Sequence, residues 1–423
     1  MQDRAPSKFS DSIYKGVVLF FMLSIVWASM VALFSLTRGK VFLFNSITMN
    51  INILYAVGFL LIYAPAAYFL PKGIKSNFLL SFLAFILFVF FKAQSGLGDD
   101  WGYQVAVQKD LWASEIFGSL VMKFLFYLNR NFIFHIYSPV LGAISIWIFL
   151  QMMESILRPA QGEVLLRLAP MLTGINLIYF GRYLEVTALS VPFTLLFTWS
   201  LYLYWNVTND RIKFLVLSSV FITLSMFVHL GTMVFLPAVF ILAALRPVKT
   251  ALRDFIYVFL SILMVCAGAL LIIKIFGFSV IQGNVHQGTL KVTSWSALSS
   301  SIKYGNISQI MNIYFIAVPL AFAALVIAVK SWSILKIRTE WLPIFLIAAA
   351  GLSFVPMVNF YFGFPKDWDL MSYNLYVAHL LSVFLICVFL PEKYRFLMSV
   401  TFLFVFIWVF SFCAQWLSPI LHI

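Results

Sequence analysis

Five carboxylates stand in three short motifs, each directly beside a long apolar run. The motifs are GLGDDWGYQ at residues 96–104, FGRYLEVTAL at 180–189 and FPKDWDL at 364–370. A carboxylate this close to a membrane-type segment is costly unless it is paired or hydrated, so it marks a candidate functional site. A fourth segment, FVHLGTMVFLP at 227–237, adds His229. Together these residue types could accept a proton, hold a phosphate and stack on a sugar.

The first motif combines acids with aromatic rings. Asp99 and Asp100 are followed by Trp101 and Tyr103. One carboxylate could accept the proton of an attacking hydroxyl, and the rings could bind a sugar. The alternative is a solvated loop or a helix cap before Trp101. We interpret Asp99 and Asp100 as the catalytic candidates, and Trp101 and Tyr103 as substrate-binding residues.

The second motif and the histidine segment supply further substrate-binding candidates. The planar guanidinium of Arg182 could hold a phosphate in bidentate fashion. The alternative for Arg182 and Glu185 is a local ion pair, because residues three apart face each other on a helix. His229 could bind substrate or could be a structural hydrogen-bond donor at the end of a span.

The last motif offers Lys366, Asp367 and Asp369 around Trp368. We interpret the three charged residues as substrate-binding, with an aromatic interface belt and helix caps as the alternative. No metal site is predicted, because the three cysteines lie inside apolar runs without metal-type spacing. The cofactor is left open, and a divalent cation is one option.

Several function classes are excluded by missing motifs and by the distribution of charge. The sequence contains no P-loop, GxGxxG, HExxH, CxxC or GxSxG element, so direct use of ATP or a nicotinamide is not expected. The net charge is +13. The basic residues punctuate the apolar runs as topology signals do, so no nucleic-acid partner is expected.

The elements that must position these residues are membrane spans. Of the 423 residues, 63% are hydrophobic and 10% are charged, against about 25% charged in a soluble domain. Apolar runs of about 20 residues, the length needed to cross a bilayer, recur along the chain. We predict an all-α fold, a polytopic integral membrane helical bundle of about 13 transmembrane helices. The predicted spans are 14–36, 51–70, 77–94, 131–152, 165–180, 186–206, 213–229, 230–245, 254–276, 311–330, 341–358, 374–390 and 395–416.

Topology follows from the basic residues. With a cytoplasmic N-terminus, the inner face carries 17 of the 28 Lys and Arg, as the positive-inside rule requires, and all four motifs face outward. Residues Leu111–Leu128 carry charges among apolar residues and are predicted to form an amphipathic surface helix after the third span. We divide the chain into a three-span segment, residues 1–95, and a catalytic region, residues 96–423.

Carboxylates, an arginine and apolar spans together fit sugar transfer from a lipid-linked phosphosugar. A carboxylate would take the proton of the acceptor hydroxyl, and Arg, Lys or a metal would meet the charge of the leaving phosphate. The membrane spans would hold the isoprenoid tail of the donor.

The sequence resembles the GT-C superfamily of polytopic glycosyltransferases. The resemblance rests on GDDWGY followed by a predicted surface helix. FGRYLEVTAL, FVHLGTMVFLP, ISQIMNIYFIAVPLA and FPKDWDL look similar to elements of bacterial membrane proteins grouped with that superfamily. The resemblance implies an enzyme of the inner (cytoplasmic) membrane. Such an enzyme takes a polyprenyl-phosphate sugar donor at the outer face and passes the sugar to a glycan or lipid acceptor. Asp99 or Asp100 would then be the acid/base carboxylate. The acidic loop here follows the third predicted span, whereas it usually follows the first.

Two alternatives remain open. The chain also resembles Wzy-type polysaccharide polymerases of the EpsG kind, in GDDWGYQ, EIFGSLVMKFLFYL, Arg182 and FVHLGTMVFLP. A lipid-linked glycan transporter or flippase is the third reading. A transporter is expected to place polar groups in mid-span and to contain paired broken helices. In this sequence, by contrast, about half of the acidic residues lie in motifs at one face.

Overall fold

The structure is a computed structural model that describes residues 58–90, 121, 130–157, 163–180, 186–275, 291–292, 314, 317–330, 339–359 and 373–389. The regular secondary structure of this part of the chain is helical apart from one antiparallel pairing of two-residue strands. Five of its helices are long and apolar enough to cross a membrane: Ile136–Ile156, Thr187–Asn206, Arg211–Val228, Val248–Ile272 and Thr339–Pro356. The all-α class is thereby confirmed for the described residues.

The described elements are α-helices, short 3₁₀ segments, one π-helix and two short strands. The helices are α1 (Ala64–Phe69), α2 (Ile74–Phe90), α3 (Arg130–Ile156), α4 (Glu163–Leu168), α5 (Gly174–Phe180), α6 (Ser190–Asn206), α7 (Arg211–Val228), α8 (Leu236–Ala244), α9 (Val248–Ile275), α10 (Ala321–Lys330), α11 (Leu342–Met357) and α12 (Tyr376–Phe389). The 3₁₀ segments are Ala169–Leu172, Val186–Leu189, Leu230–Phe235, Thr339–Trp341 and Tyr373–Leu375, and Phe59–Tyr63 is a π-helix before α1. The strands are β1 (Lys291–Val292) and β2 (Val358–Asn359).

The five long helices fall on the spans predicted over 131–152, 186–206, 213–229, 254–276 and 341–358. The spans 14–36 and 395–416 lie outside the described residues, as does the surface helix Leu111–Leu128 except for one residue. The total of thirteen spans therefore stays a prediction.

Helix α9 has the surface expected of a membrane helix. It is a 28-residue helix, and its large apolar side chains are mostly exposed, including Phe259 (65%) and Met264 (71%). An uninterrupted apolar surface of this kind would be a liability in water, whereas it is the ordinary exterior of a helix in lipid. The packing of α9 thus agrees with the membrane interpretation.

The centre of the bundle is the antiparallel pair α6 and α7, joined by a tight turn at Asp210. Small polar residues line their contact. The hydroxyls of Thr194 and Ser225 are 3.3 Å apart, and Ser225 Oγ donates to the Ser190 carbonyl at 3.4 Å. Small residues let helices in a membrane approach closely and bond to each other. The pair therefore fixes both ends of α7.

Residues near Asn206, Arg246 and Thr339, from three loops predicted to be cytoplasmic, lie together at one end of the bundle. We call it the basic end. There Trp205 Nε1 donates to the Thr339 carbonyl at 2.7 Å, and Asn206 Nδ2 donates to the Glu340 carbonyl at 2.9 Å. Arg246 Nη2 donates to the Trp205 carbonyl at 2.8 Å. Because α7 has 18 residues and an α-helix rises 1.5 Å per residue, its far end, at His229, is roughly 27 Å from the basic end.

Two of the predicted spans are interrupted inside the bundle. The span predicted over 165–180 is divided into α4 and α5 by Ala169–Leu172 and by an extended Thr173. The span predicted over 311–330 is non-helical at Val318–Leu320. Each interruption contains a proline, Pro170 or Pro319, which cannot donate a backbone hydrogen bond. The interruptions meet where Thr173 Oγ1 donates to the Ala317 carbonyl at 2.6 Å.

Candidate functional site

Of the residues predicted to form a site, His229 is the one that the structure describes. The others lie outside the described residues: Asp99, Asp100, Trp101, Tyr103, Arg182, Glu185, Lys366, Asp367 and Asp369. The chain on either side of several of them is described, however. Those flanking residues show which part of the bundle each motif adjoins.

His229 stands at the junction between α7 and the 3₁₀ turn that follows it. Its backbone N–H donates to the Ser225 carbonyl at 2.8 Å, and its own extended backbone ends the helix. Its Nδ1 accepts a hydrogen bond from the Gly231 N–H at 3.1 Å and so caps the 3₁₀ turn. The residue is thus held by backbone groups on both sides.

A second group on the same nitrogen comes from a distant part of the chain. The hydroxyl of Tyr373 lies 2.5 Å from His229 Nδ1, with the two rings in an edge-to-face arrangement at 5.0 Å. Since Nδ1 already accepts from Gly231, the tyrosine O–H is the donor. The neutral imidazole then carries its proton on Nε2. A proton on that nitrogen can donate to a phosphate or a sugar oxygen.

Gly231 is what lets the pair form. A Cβ at this position would overlap the Tyr373 hydroxyl and would lie 2.9 Å from His229 Nδ1. Tyr373 itself is 1% exposed, so its ring cannot swing away without disturbing the core. A larger residue at position 231 must therefore separate His229 from Tyr373.

The described flanks of the other motifs lead toward the same end of the bundle. Phe180, the last residue before the GRYLE segment, packs on Phe88 near the end of α2 at 5.7 Å between ring centres. The 3₁₀ turn Val186–Leu189, just after that segment, packs against α7. The Phe88 contact brings the helix that precedes GDDWGYQ to the same region.

The FPKDWDL motif is flanked on both sides by described residues. Tyr373, four residues after Asp369, contacts His229. On the other side, β2 at Val358–Asn359 pairs with β1, in register Lys291 with Asn359. The residues after this motif thus contact the turn at His229, and the residues before it pair with β1. Nothing local in the sequence singled out Tyr373.

At the basic end the structure reveals an ionic cluster that the sequence did not predict. Asp254 is fully buried, and its Oδ2 accepts from Arg211 Nη2 at 2.9 Å and from the Tyr204 hydroxyl at 2.7 Å. Arg253 Nη2 lies 3.4 Å from the other oxygen. Arg246 stacks over the Trp205 ring at 4.2 Å. Because the carboxylate is fully occupied by structural partners, this cluster stabilises the helix ends and is a poor candidate for chemistry.

Within the part of the chain that the structure describes, no group of three or more His, Cys, Asp and Glu could hold a metal ion. No protein-family model, curated protein or solved structure matches the chain.

Proposed function

We propose that the chain is a membrane glycosyltransferase of GT-C type. In this proposal it moves a sugar from a polyprenyl-phosphate donor to a glycan or lipid acceptor at the outer face of the cytoplasmic membrane. Asp99 or Asp100 accepts the acceptor proton. Arg182 and His229 meet the donor phosphate, and Trp101 and Tyr103 bind the sugar. A polysaccharide polymerase would use the same class of donor.

The observation that carries the proposal is the contact between His229 and Tyr373. It joins the histidine turn, which is His229 with the 3₁₀ turn Leu230–Phe235, to the segment that follows FPKDWDL. The two lie more than a hundred residues apart in the sequence. A shared site requires such convergence. The contact supports a common outer site, and Glu185, Lys366, Asp367 and Asp369 complete the proposed substrate-binding set.

Gly231→Ala tests this observation. The new methyl group separates His229 from Tyr373, and displacing a positioning group can lower the rate of transfer by roughly 10–100-fold. Gly268→Ala is the matched control, because a Cβ there meets no atom within 4 Å and transfer should not change. Transfer of labelled sugar by membranes containing each variant is the measurement. Tyr373→Phe, which keeps the ring and removes the hydrogen bond, should show a smaller loss.

If Gly231→Ala and Tyr373→Phe both transfer sugar as fast as the Gly268→Ala control, the histidine turn does not belong to the site. Folding is checked by the thermal unfolding midpoint in detergent. A loss of transfer that simply tracks unfolding in both variants also contradicts the proposed role.

The proposal also assigns sides, with the N-terminus and the basic end in the cytoplasm. Single cysteines at Asp100 and at Lys249 should react with a membrane-impermeant maleimide from opposite sides of the membrane. The reason is that Lys249 belongs to the basic end, together with Arg246 and Arg253, whereas Asp100 belongs to a motif assigned to the opposite face. Labelling of both cysteines from one side would overturn the sidedness of the site.

A specific observation favours a second candidate, a transporter of lipid-linked glycan. Paired helix interruptions near the middle of the membrane are typical of transporters. Here Thr173, in the first interruption, donates to the carbonyl of Ala317, the residue directly before the second. A transporter would bind the lipid donor and move it across the bilayer without breaking the bond to the sugar. The two candidates therefore differ in their products.

A further inference from the structure

The interruption between α4 and α5 is contacted by buried polar side chains for which neither proposed function supplies a role. His379, Asn176 and Tyr376 are 0%, 0% and 1% exposed. The first two bond to consecutive carbonyls of the interruption: His379 Nε2 lies 2.7 Å from the Ala169 oxygen, and Asn176 Nδ2 donates to the Pro170 oxygen. Adjacent carbonyls on one turn bring these two side chains together.

Tyr376 completes the group. It precedes His379 by one helical turn on α12, and the centres of the two rings are 6.4 Å apart. Its hydroxyl lies beside the Asn176 amide without a well-formed hydrogen bond to that amide or to any other described atom. Three polar side chains from α5 and α12 therefore surround one spot next to the broken backbone.

Each of these side chains retains one polar atom without a partner among the described residues: His379 Nδ1, Asn176 Oδ1 and the Tyr376 hydroxyl. A carbonyl can only accept, so His379 Nε2 must carry the proton, and Nδ1 of the neutral ring is an acceptor. Asn176 uses its amide N–H on Pro170, which makes Oδ1 an acceptor too. The Tyr376 hydroxyl can donate.

Two acceptors and one donor are the complement of a single water molecule. A water can donate to His379 Nδ1 and to Asn176 Oδ1 while it accepts from the Tyr376 hydroxyl, and buried waters typically make about three hydrogen bonds. Leaving three polar atoms unpaired in a bundle interior would be costly. Non-helical backbone at membrane depth is tolerated where it is packed in protein or hydrated.

We propose that the interruption between α4 and α5 borders a hydrated site in which a bound water bridges His379 Nδ1, Asn176 Oδ1 and the Tyr376 hydroxyl. The ligand is a small, neutral hydrogen-bond donor and acceptor. A cation is a poorer fit, because none of the three side chains carries a negative charge. The site is independent of the outer motifs and of the basic end.

Hydroxyl-radical footprinting of the full-length protein by a short X-ray pulse detects such a water directly. Radicals form from waters next to a side chain, so Tyr376 should be oxidised several-fold faster than Phe197, after correction for intrinsic reactivity, although the two are equally buried (1% and 0% exposed). Phe197 is the control for slow opening of the bundle. Oxidation of Tyr376 at the rate of Phe197 would mean that the site is dry.

Tyr376→Phe provides the second measurement. If the hydroxyl bonds to a water, its removal should lower the unfolding midpoint by about 2 °C; an unpaired hydroxyl in a dry cavity would give no loss or a gain. Tyr63→Phe, which removes the bond from Tyr63 to the Arg167 carbonyl at 3.0 Å, should lower the midpoint and sets the scale. Tyr257→Phe, at a position 37% exposed, should not change it.

The proposal requires both results, fast oxidation of Tyr376 and a lower midpoint for Tyr376→Phe. Either slow oxidation or an unchanged midpoint overturns it. Neither measurement uses a donor lipid or an acceptor, so the outcome does not depend on whether the protein transfers or transports its substrate.

Discussion

Asp99→Asn or Asp100→Asn is expected to abolish sugar transfer, with a fall in rate of roughly 10²–10⁴-fold, the usual cost of losing a general base. Asparagine keeps the shape of the side chain and removes its ability to take a proton. The measurement is transfer of labelled sugar from a polyprenyl-phosphate donor by purified protein. At least one of the two variants should show the full loss, because the sequence does not distinguish the two carboxylates.

Asp210→Asn is the matched control for this pair of variants. Asp210 is an exposed aspartate at the basic end, at a φ of 59°, a backbone conformation that asparagine also tolerates. Its transfer rate should equal that of the wild type. If Asp99→Asn and Asp100→Asn both match Asp210→Asn in rate, the GDD motif has no catalytic role.

Asp254→Asn is expected to destabilise the protein by roughly 3 kcal/mol. Breaking a buried ion pair by removing one partner leaves the other charge uncompensated. Asparagine keeps an oxygen that can accept from Arg211 and Tyr204, but it carries no charge to balance the guanidinium. The cost should fall at the lower end of the range, because Arg211 is still 19% exposed and can be rehydrated. Unfolding by SDS titration in mixed micelles measures the difference.

The same exposed aspartate serves as the control, since Asp210→Asn removes an equal charge next to Arg211 in the sequence without breaking a buried pair. Replacing both Asp254 and Arg211 with leucine should recover much of the lost stability, because a well-packed apolar pair avoids the desolvation cost. Equal stability of Asp254→Asn and Asp210→Asn would show that the cluster does not hold the helix ends together.

The positions of the helices could be predicted from the sequence because a span needs about 20 apolar residues and little else. Helix α6 and the 3₁₀ turn before it cover Val186–Asn206, the same range as the predicted span. The prediction for α9 is less accurate: the helix begins at Val248 rather than at residue 254. Its first turns contain Lys249 and Arg253, whose charges ended the apolar run. Asp254 follows them. Arg211, 43 residues earlier, pairs with Asp254, and hydropathy cannot detect such a partner.

The interruptions were missed for a related reason. Pro170 and Thr173 lie in a run that is apolar enough to span, so hydropathy predicts a continuous helix there. What breaks it is a set of tertiary bonds, from His379 to Ala169 and from Thr173 to Ala317. No role for His379 could be predicted, because an isolated histidine in a sequence carries no sign of its partners.

For the candidate site, sequence reasoning predicted His229 but not the residue that holds it. The turn FVHLG and the motif FPKDWDL are short, and the contact between His229 and the segment that follows FPKDWDL depends on the packing of α7, α11 and α12. Tyr373 bonds to His229 across 144 residues of sequence. The acids and Arg182 are predicted from residue type and sidedness, and their roles stay predictions.

The most direct test of the proposed function separates transfer from transport in one experiment. Purified protein is reconstituted in proteoliposomes with a fluorescent polyprenyl-phosphate sugar and an acceptor glycan, and both the free polyprenyl phosphate and the side of the intact donor are followed. A glycosyltransferase releases polyprenyl phosphate and extends the acceptor, and Asp99→Asn or Asp100→Asn stops both. Movement of intact donor to the opposite leaflet, with no polyprenyl phosphate released under any acceptor, would contradict the account.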